Sequence, residues 1–262
     1  MKALLMIHGF ISEMNDFDSI MDEVKKRYDK VLRPVLPGHG EEGIYDYNNF
    51  NSKDTFKCIT EAFDELARDY ETIDVMGYSM GGALATYLSS IRKFNKLILV
   101  APANHYFNPI AFVNGSKYAM KNFYALEKSI LKKSKEDQVV YKEFLEHFKE
   151  DQIKCASFVF RKYLRTYIWH AYKEFRDIVK NCNKDLKEIK NPTLILWSEL
   201  DQLVPFGSVD ELYKMCTNDI KILKIYPNYT HLMLASDNPY DIIVDILNFM
   251  DGNYGEFKKI RS

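Results

Sequence analysis

Gly77-Tyr78-Ser79-Met80-Gly81 is the stretch whose residue types and spacing most directly suggest chemistry. It follows the apolar run Ile73-Asp74-Val75-Met76 and precedes a segment of helical period. A serine on so tight a strand-to-helix turn projects its hydroxyl at the edge of a sheet, and flanking glycines leave room for the close backbone. The helix N-terminus beside it favours developing negative charge. A plain glycine turn would explain the spelling of GxSxG but not its placement. The chemistry such a serine suits is nucleophilic attack on an acyl carbon.

Serine is a poor nucleophile near neutral pH and needs a base, usually a histidine oriented by a carboxylate. Of the six histidines, His231 alone lies after the last apolar run and before the last helical pattern, in PNYTHLMLASDNP. His8 and His39 read as glycine-flanked turn residues, and His105, His147 and His170 fall in or beside a separate helical stretch. For the acid, the run TLILW ends in SELDQLVP, which offers Glu199 and Asp201. Asp201 is favoured because it sits deeper in the loop and Leu-Val-Pro after it restrains the chain. The chain order is then Ser79, Asp201, His231. An oxyanion needs two donors. Met80 N–H supplies one, and the loop after the first apolar run, His8-Gly9-Phe10, supplies Phe10 N–H as the second.

These residues require a sheet edge to hold them. Short apolar runs bounded by turn residues alternate with longer segments of helical period, the pattern of a parallel sheet with crossover helices. The runs predict strands at Ala3 to Ile7, Val31 to Val35, Ile73 to Met76, Leu97 to Val100, Thr193 to Trp197 and Ile220 to Ile225. Helices are expected around Phe17 to Arg27, Thr55 to Tyr70, Met80 to Arg92, Ser208 to Cys216 and Pro239 to Met250. The fold class is α/β, with a mostly parallel six-stranded sheet flanked by helices. Polar Gly252 to Ser262 reads as a frayed end.

One interval breaks the rhythm. Roughly ninety residues separate Val100 from Thr193, far more than a loop. Their content is Lys-rich, Tyr/Phe-rich and helical in period: Phe144, Phe148 and Ile153, then Phe158, Tyr163, Tyr167 and Tyr172. The expected organisation is one core formed by residues 1–103 and 191–262, with residues 104–190 inserted as a helical lid. The stretch FVFRKYLRTYIWHAYKEF mixes aromatics with Arg161, Lys162, Arg165 and Lys173. It reads either as an ordinary solvated helix or as a gate with basic groups near an anionic head group or interface.

Composition bounds the partners. In 262 residues, 36 Lys and Arg nearly balance 37 Asp and Glu, so no global field draws nucleic acid or anionic membrane. A small-molecule partner is favoured. With 47% hydrophobic residues the chain can bury a sizeable core without staples. Cys58, Cys155, Cys182 and Cys216 are widely spaced, with no metal-ligand pattern, so no metal is expected and reduced thiols in a cytoplasmic setting fit best. The N-terminal MKALLMIHGF has too short an apolar run for a signal peptide, and no stretch approaches the ~18 apolar residues that span a bilayer.

Through HGF (His8 to Phe10), RPVLPGHGEEG (Arg33 to Gly43), GYSMGG (Gly77 to Gly82), SELDQLVP (Ser198 to Pro205) and the late His231, nearly the whole chain resembles the α/β-hydrolase superfamily. Within it, the chain is similar to lid-bearing carboxylesterases and monoacylglycerol lipases, with a lysophospholipase-like loop after the second strand. The resemblance implies ester hydrolysis through an acyl-enzyme, with no cofactor, on short- or medium-chain acyl esters or monoacylglycerols. It also implies that the lid shapes the pocket. Thioesterase, amidase or peptidase, and carbon–carbon hydrolase activities use the same machinery. A non-catalytic hydrolase-fold receptor for a small molecule is a further alternative. Two departures stand out: the chain begins at the strand before HGF, leaving six strands, and Tyr229-Thr230 precedes His231 where such esterases often carry Ser-Gly.

Overall fold

The computed structural model describes residues 1–10, 14–39, 49–105, 169–201 and 203–260. Six strands, β1 (Lys2–Ile7), β2 (Lys30–Leu32), β3 (Thr72–Tyr78), β4 (Leu97–Val100), β5 (Thr193–Ser198) and β6 (Lys221–Tyr226), form one sheet in the order β2-β1-β3-β4-β5-β6. Every neighbouring pair is parallel. The chain winds outward from β1 to β2, then resumes on the other side of β1 with β3. The strand order therefore reverses between β1 and β3, where open α/β sheets leave a crevice beyond the strand ends.

Period-two alternation sorts the strand side chains between two layers. Ala3, Leu5, Ile7, Val75, Leu97, Leu99 and Ile195 face one core, shared with α2 (Ser52–Asp69), α3 (Met80–Ile91), α4 (Trp169–Lys184) and α5 (Phe206–Met215). Leu4, Met6, Met76, Ile98, Val100, Leu194 and Leu196 face the other, shared with α1 (Asp18–Lys25) and α6 (Tyr240–Asp251). Both faces are covered, which is why these strands are apolar nearly throughout.

Most elements begin and end close to the sequence expectation, and the departures have local causes. β2 stops at Leu32 instead of Val35; it is an edge strand paired only with β1, and Pro34 beyond it has no N–H to donate. Helix α2 starts earlier than expected because Asn51 caps it. The Asn51 side chain accepts from Asp54 N at 2.8 Å and donates to the Asp54 carboxylate at 2.7 Å. Up to Ile260 the C-terminal segment is not the frayed end expected: Gly252, at φ 82°, turns the chain out of α6 into a 3-10 helix, Tyr254–Ile260, and residues 261 and 262 lie outside the described residues. Tyr254 and Phe257 pack against the second core, with the Tyr254 ring edge-on to Phe249 at 5.4 Å.

Of the expected lid, residues 106–168 lie outside the described residues, and with them Phe144, Phe148, Ile153, Phe158, Arg161, Lys162, Tyr163, Arg165 and Tyr167. The C-terminal part of that interval is α4, whose Ala171, Phe175, Ile178, Val179 and Cys182 enter the first core. Among the described residues, no helix is long and apolar enough to cross a membrane.

Candidate active site

Ser79 alone connects β3 to α3, at φ 55° and ψ −117°. A side-chain-bearing residue in that region stores about 1–3 kcal/mol of strain, which persists only when its surroundings fix the backbone. Here they do. Ser79 N–H donates to Val100 O at 2.9 Å, and Ser79 O accepts from Gly82 N at 2.9 Å and Ala103 N at 3.0 Å. The turn closes so tightly that a Cβ on Gly77 would sit 2.1 Å from Gly81 O, and one on Gly81 would sit 2.0 Å from Ile7 O. The glycines at 77 and 81 are thus required by contact, the first between strand and helix, the second between α3 and the exit of β1.

The half-buried Ser79 hydroxyl lies 2.9 Å from His231 Nε2. His231 Nδ1 is 2.9 Å from Asp201 Oδ2 and 3.1 Å from Oδ1. Nδ1–H donates to the carboxylate, which leaves Nε2 as the acceptor for the serine proton. Both partners are withdrawn from water: the Asp201 side chain has no exposed surface and the His231 side chain 8%. Asp201 Oδ1 also accepts the Leu203 and Val204 amides, at 2.8 and 2.9 Å. The same loop is pinned from the other side, because Trp197 Nε1–H donates to Val204 O at 2.9 Å. Glu199, the other acid in the loop, is exposed, and its backbone N–H donates to Tyr226 O at 2.9 Å.

The loop carrying His231 is held to the end of β5. Ser198 Oγ accepts Tyr229 N–H at 3.0 Å and lies 2.6 Å from Tyr229 O. The departure at Tyr229 therefore keeps a defined backbone anchor, and its hydroxyl donates to Asn238 O at 3.1 Å.

Phe10 and Met80 lie on the two segments that meet where Gly81 abuts Ile7 O. Met80 is the first residue of α3, with its side chain fully buried in the first core, and first-turn amides have no partner within their own helix. The Phe10 ring stacks on Phe175 at 5.1 Å and packs against Phe50 at 5.5 Å and His39 at 6.5 Å. This loop has a fixed core of its own. His8 is buried, its Nδ1–H donates to Gly9 O at 2.9 Å, and its Nε2 accepts Leu36 N–H at 3.1 Å. Burial, with His39 at a centroid distance of 4.9 Å, pushes His8 down to about 3, so the ring is neutral and both nitrogens are used. The glycine-flanked turn reading of His8 missed this tie; a histidine directly before the turn glycine was the available signal.

The remaining described histidines serve elsewhere. His105 pairs with Glu211, and His170 Nε2–H donates to Phe50 O at 3.0 Å. His147 lies outside the described residues.

Comparison with known proteins agrees with this architecture. The family model described as serine aminopeptidase, S33, matches residues 1–238. Pimeloyl-[acyl-carrier protein] methyl ester esterase of Wigglesworthia glossinidia brevipalpis is 25% identical over 245 residues, covering 89% of this chain and 88% of that protein. Among solved structures, one of the metagenome-derived lipolytic enzymes LipS and LipT superposes with a TM-score of 0.67 at 16% identity, over 96% of this chain and 94% of that one. The monoacylglycerol lipase of Paleococcus ferrophilus gives a TM-score of 0.63 at 15% identity, over 95% and 94%. Both structures share the α/β-hydrolase fold seen here.

Proposed function

This chain belongs to the serine aminopeptidase S33 family of α/β hydrolases, and we propose that it hydrolyses carboxylic esters through an acyl-enzyme formed on Ser79. The observation that carries the reading is the unbroken hydrogen-bonded series Ser79 Oγ, His231 Nε2, His231 Nδ1, Asp201, at 2.9 Å for each link.

In this mechanism His231 Nε2 takes the hydroxyl proton as Ser79 Oγ bonds to the acyl carbon. Asp201 fixes the ring and stabilises the imidazolium that forms. The tetrahedral oxyanion accepts hydrogen bonds from the Phe10 and Met80 amides, each worth about 2.7–4 kcal/mol in related chemistry. The intermediate collapses, the alkoxide leaves with the proton held by His231, and the acyl group stays on Ser79. A water then attacks that ester while His231 takes its proton, and Ser79 recovers a proton as the free acid departs.

The substrate class is short- to medium-chain acyl esters or monoacylglycerols, with the segment 104–190 shaping the pocket. Relatives named for a methyl ester and for monoacylglycerols support an ester. The family description favours a second reading, hydrolysis of an aminoacyl amide by the same three residues. Steady-state assays of p-nitrophenyl esters against aminoacyl p-nitroanilides separate the two. The proposal expects turnover of the esters that Ser79→Ala abolishes; undiminished turnover by Ser79→Ala would refute it, and turnover of the anilides alone would select the second reading.

A further inference from the structure

Tyr78 immediately precedes the nucleophile, and nothing in the acyl-transfer mechanism uses its side chain. It is 2% exposed, and its hydroxyl lies 2.7 Å from the backbone oxygen of His231, a residue 153 positions away. Its ring runs parallel to the His231 imidazole within 23°, at a centroid distance of 5.5 Å. Phe17, fully buried, closes on the Tyr78 ring edge-on at 6.4 Å. The same His231 oxygen accepts Met233 N–H at 2.9 Å, so it is doubly bonded by donors.

We propose that Tyr78 is a positioning residue for His231, bracing the histidine by its backbone carbonyl and by the face of its ring while Ser79 engages Nε2. Two successive residues of the strand-to-helix turn thus grip one histidine at both ends. The hydroxyl sets the distance of the His231 loop from β3. The ring face limits imidazole rotation and presents negative π-density to the imidazolium formed in each acyl transfer. Burial, with Asp16 and Asp201 nearby, pushes the phenol well above its ordinary range, so Tyr78 keeps its proton and remains a donor. Among the described residues, the Asp201 carboxylate from the loop after β5, the Ser79 hydroxyl from the turn, and Tyr78 from β3 face the His231 ring. Asp16, in the 3-10 turn before α1, acts on Tyr78.

This inference rests on the reading of Ser79, His231 and Asp201 given above, and two variants separate its failure from that one. Tyr78→Phe keeps the ring and removes the donor; Tyr78→Leu removes both. With a p-nitrophenyl ester, kcat of Tyr78→Phe should fall about fivefold at unchanged KM, the scale of one lost hydrogen bond. Tyr78→Leu should fall about a hundredfold, the cost of a slightly misplaced catalytic group. Its KM should stay at the wild-type value, because Tyr78 lies in the second core. A packing role alone would lower the unfolding midpoint and leave kcat of the folded variants at the wild-type level. Wild-type kcat in folded Tyr78→Phe, or equal kcat in folded Tyr78→Phe and folded Tyr78→Leu, would overturn the assignment. If wild-type turnover proves independent of Ser79, it is the acyl-enzyme reading that fails instead.

Discussion

Among the described residues, Asp74 within the sheet and Asp201 in the loop beyond it both have carboxylates with no exposed side-chain surface, and their partners differ in kind. Asp74, near the start of β3, accepts the Tyr28 hydroxyl at 2.7 Å, the Asn95 amide at 2.6 Å and Lys96 N–H at 3.1 Å, with Lys2 Nζ at 3.2 Å. Asp201, beyond the end of β5, accepts two backbone amides and His231 Nδ1–H. Each is satisfied, as a buried charge must be. At Asp74 the donors end there. At Asp201 the donor is an imidazole whose second nitrogen meets a serine held at a strained φ. Burial and saturation are therefore common to scaffold and site; what sets the site apart is that its hydrogen bonds continue to a group that can react.

Substitution at the two carboxylates should separate these roles. The largest effect is expected from Asp201→Asn, which leaves an acceptor for the loop amides but no longer fixes the histidine tautomer. Ester turnover should fall by about four orders of magnitude, the scale for amidating such an orienting carboxylate, while urea unfolding changes little. Asp74→Asn should do the reverse. It lowers stability by about 3 kcal/mol, because an amide cannot accept from all four donors, and leaves kcat per folded molecule at the wild-type level. Equal losses of activity in both variants would erase the distinction.

A pH experiment probes the site end alone. His8 is held neutral in the fold at about 3, against an ordinary 6.5, chiefly by burial. The unfolded chain therefore binds the extra proton first: this contribution to stability is complete above about pH 6.5 and is lost as pH falls toward 3, at about 1.4 kcal/mol per unit. Between about pH 6.5 and 5 the loss is roughly 2 kcal/mol. Urea titrations of His8→Gln should show a correspondingly shallower slope; an unchanged slope would mean that His8 does not hold the loop in its neutral form. The smallest effect is expected at Lys96, whose Nζ caps the C-terminal end of α6 through Phe249 O at 3.0 Å and Met250 O at 2.7 Å. Lys96→Met should cost about 1 kcal/mol, the lost cap being offset by relief of a buried charge, with no change in turnover.

The parts of the molecule that were legible in the sequence are those governed by neighbours along the chain. Runs such as Leu97 to Val100 and Leu194 to Trp197 are apolar throughout because helices cover both sheet faces, so each reads as a strand without knowledge of its partners. Ser79, Asp201 and His231 each fall in a short segment beyond a readable strand, and the fold brings those segments to one edge. What the sequence leaves unwritten depends on a second residue far away. The Tyr78 hydroxyl meets a carbonyl 153 positions on, and the Lys96 ammonium meets two that are 153 and 154 positions on. His8 meets Leu36, 28 positions on, and the glycine after His8 marks the turn but not that partner. The tail after Gly252 is polar enough to suggest fraying, yet Tyr254 finds Phe249 across the turn. Residues 106–168 show helical period and aromatic content in the sequence and lie outside the described residues.

Ser79 as the nucleophile is tested most sharply by intact-mass analysis of the protein treated with a fluorophosphonate, followed by peptide mapping. One adduct per chain is expected, on Ser79, absent in Ser79→Ala and formed far more slowly in Asp201→Asn but not in Asp74→Asn. No adduct on folded wild-type protein, or an adduct that persists in Ser79→Ala, would contradict it.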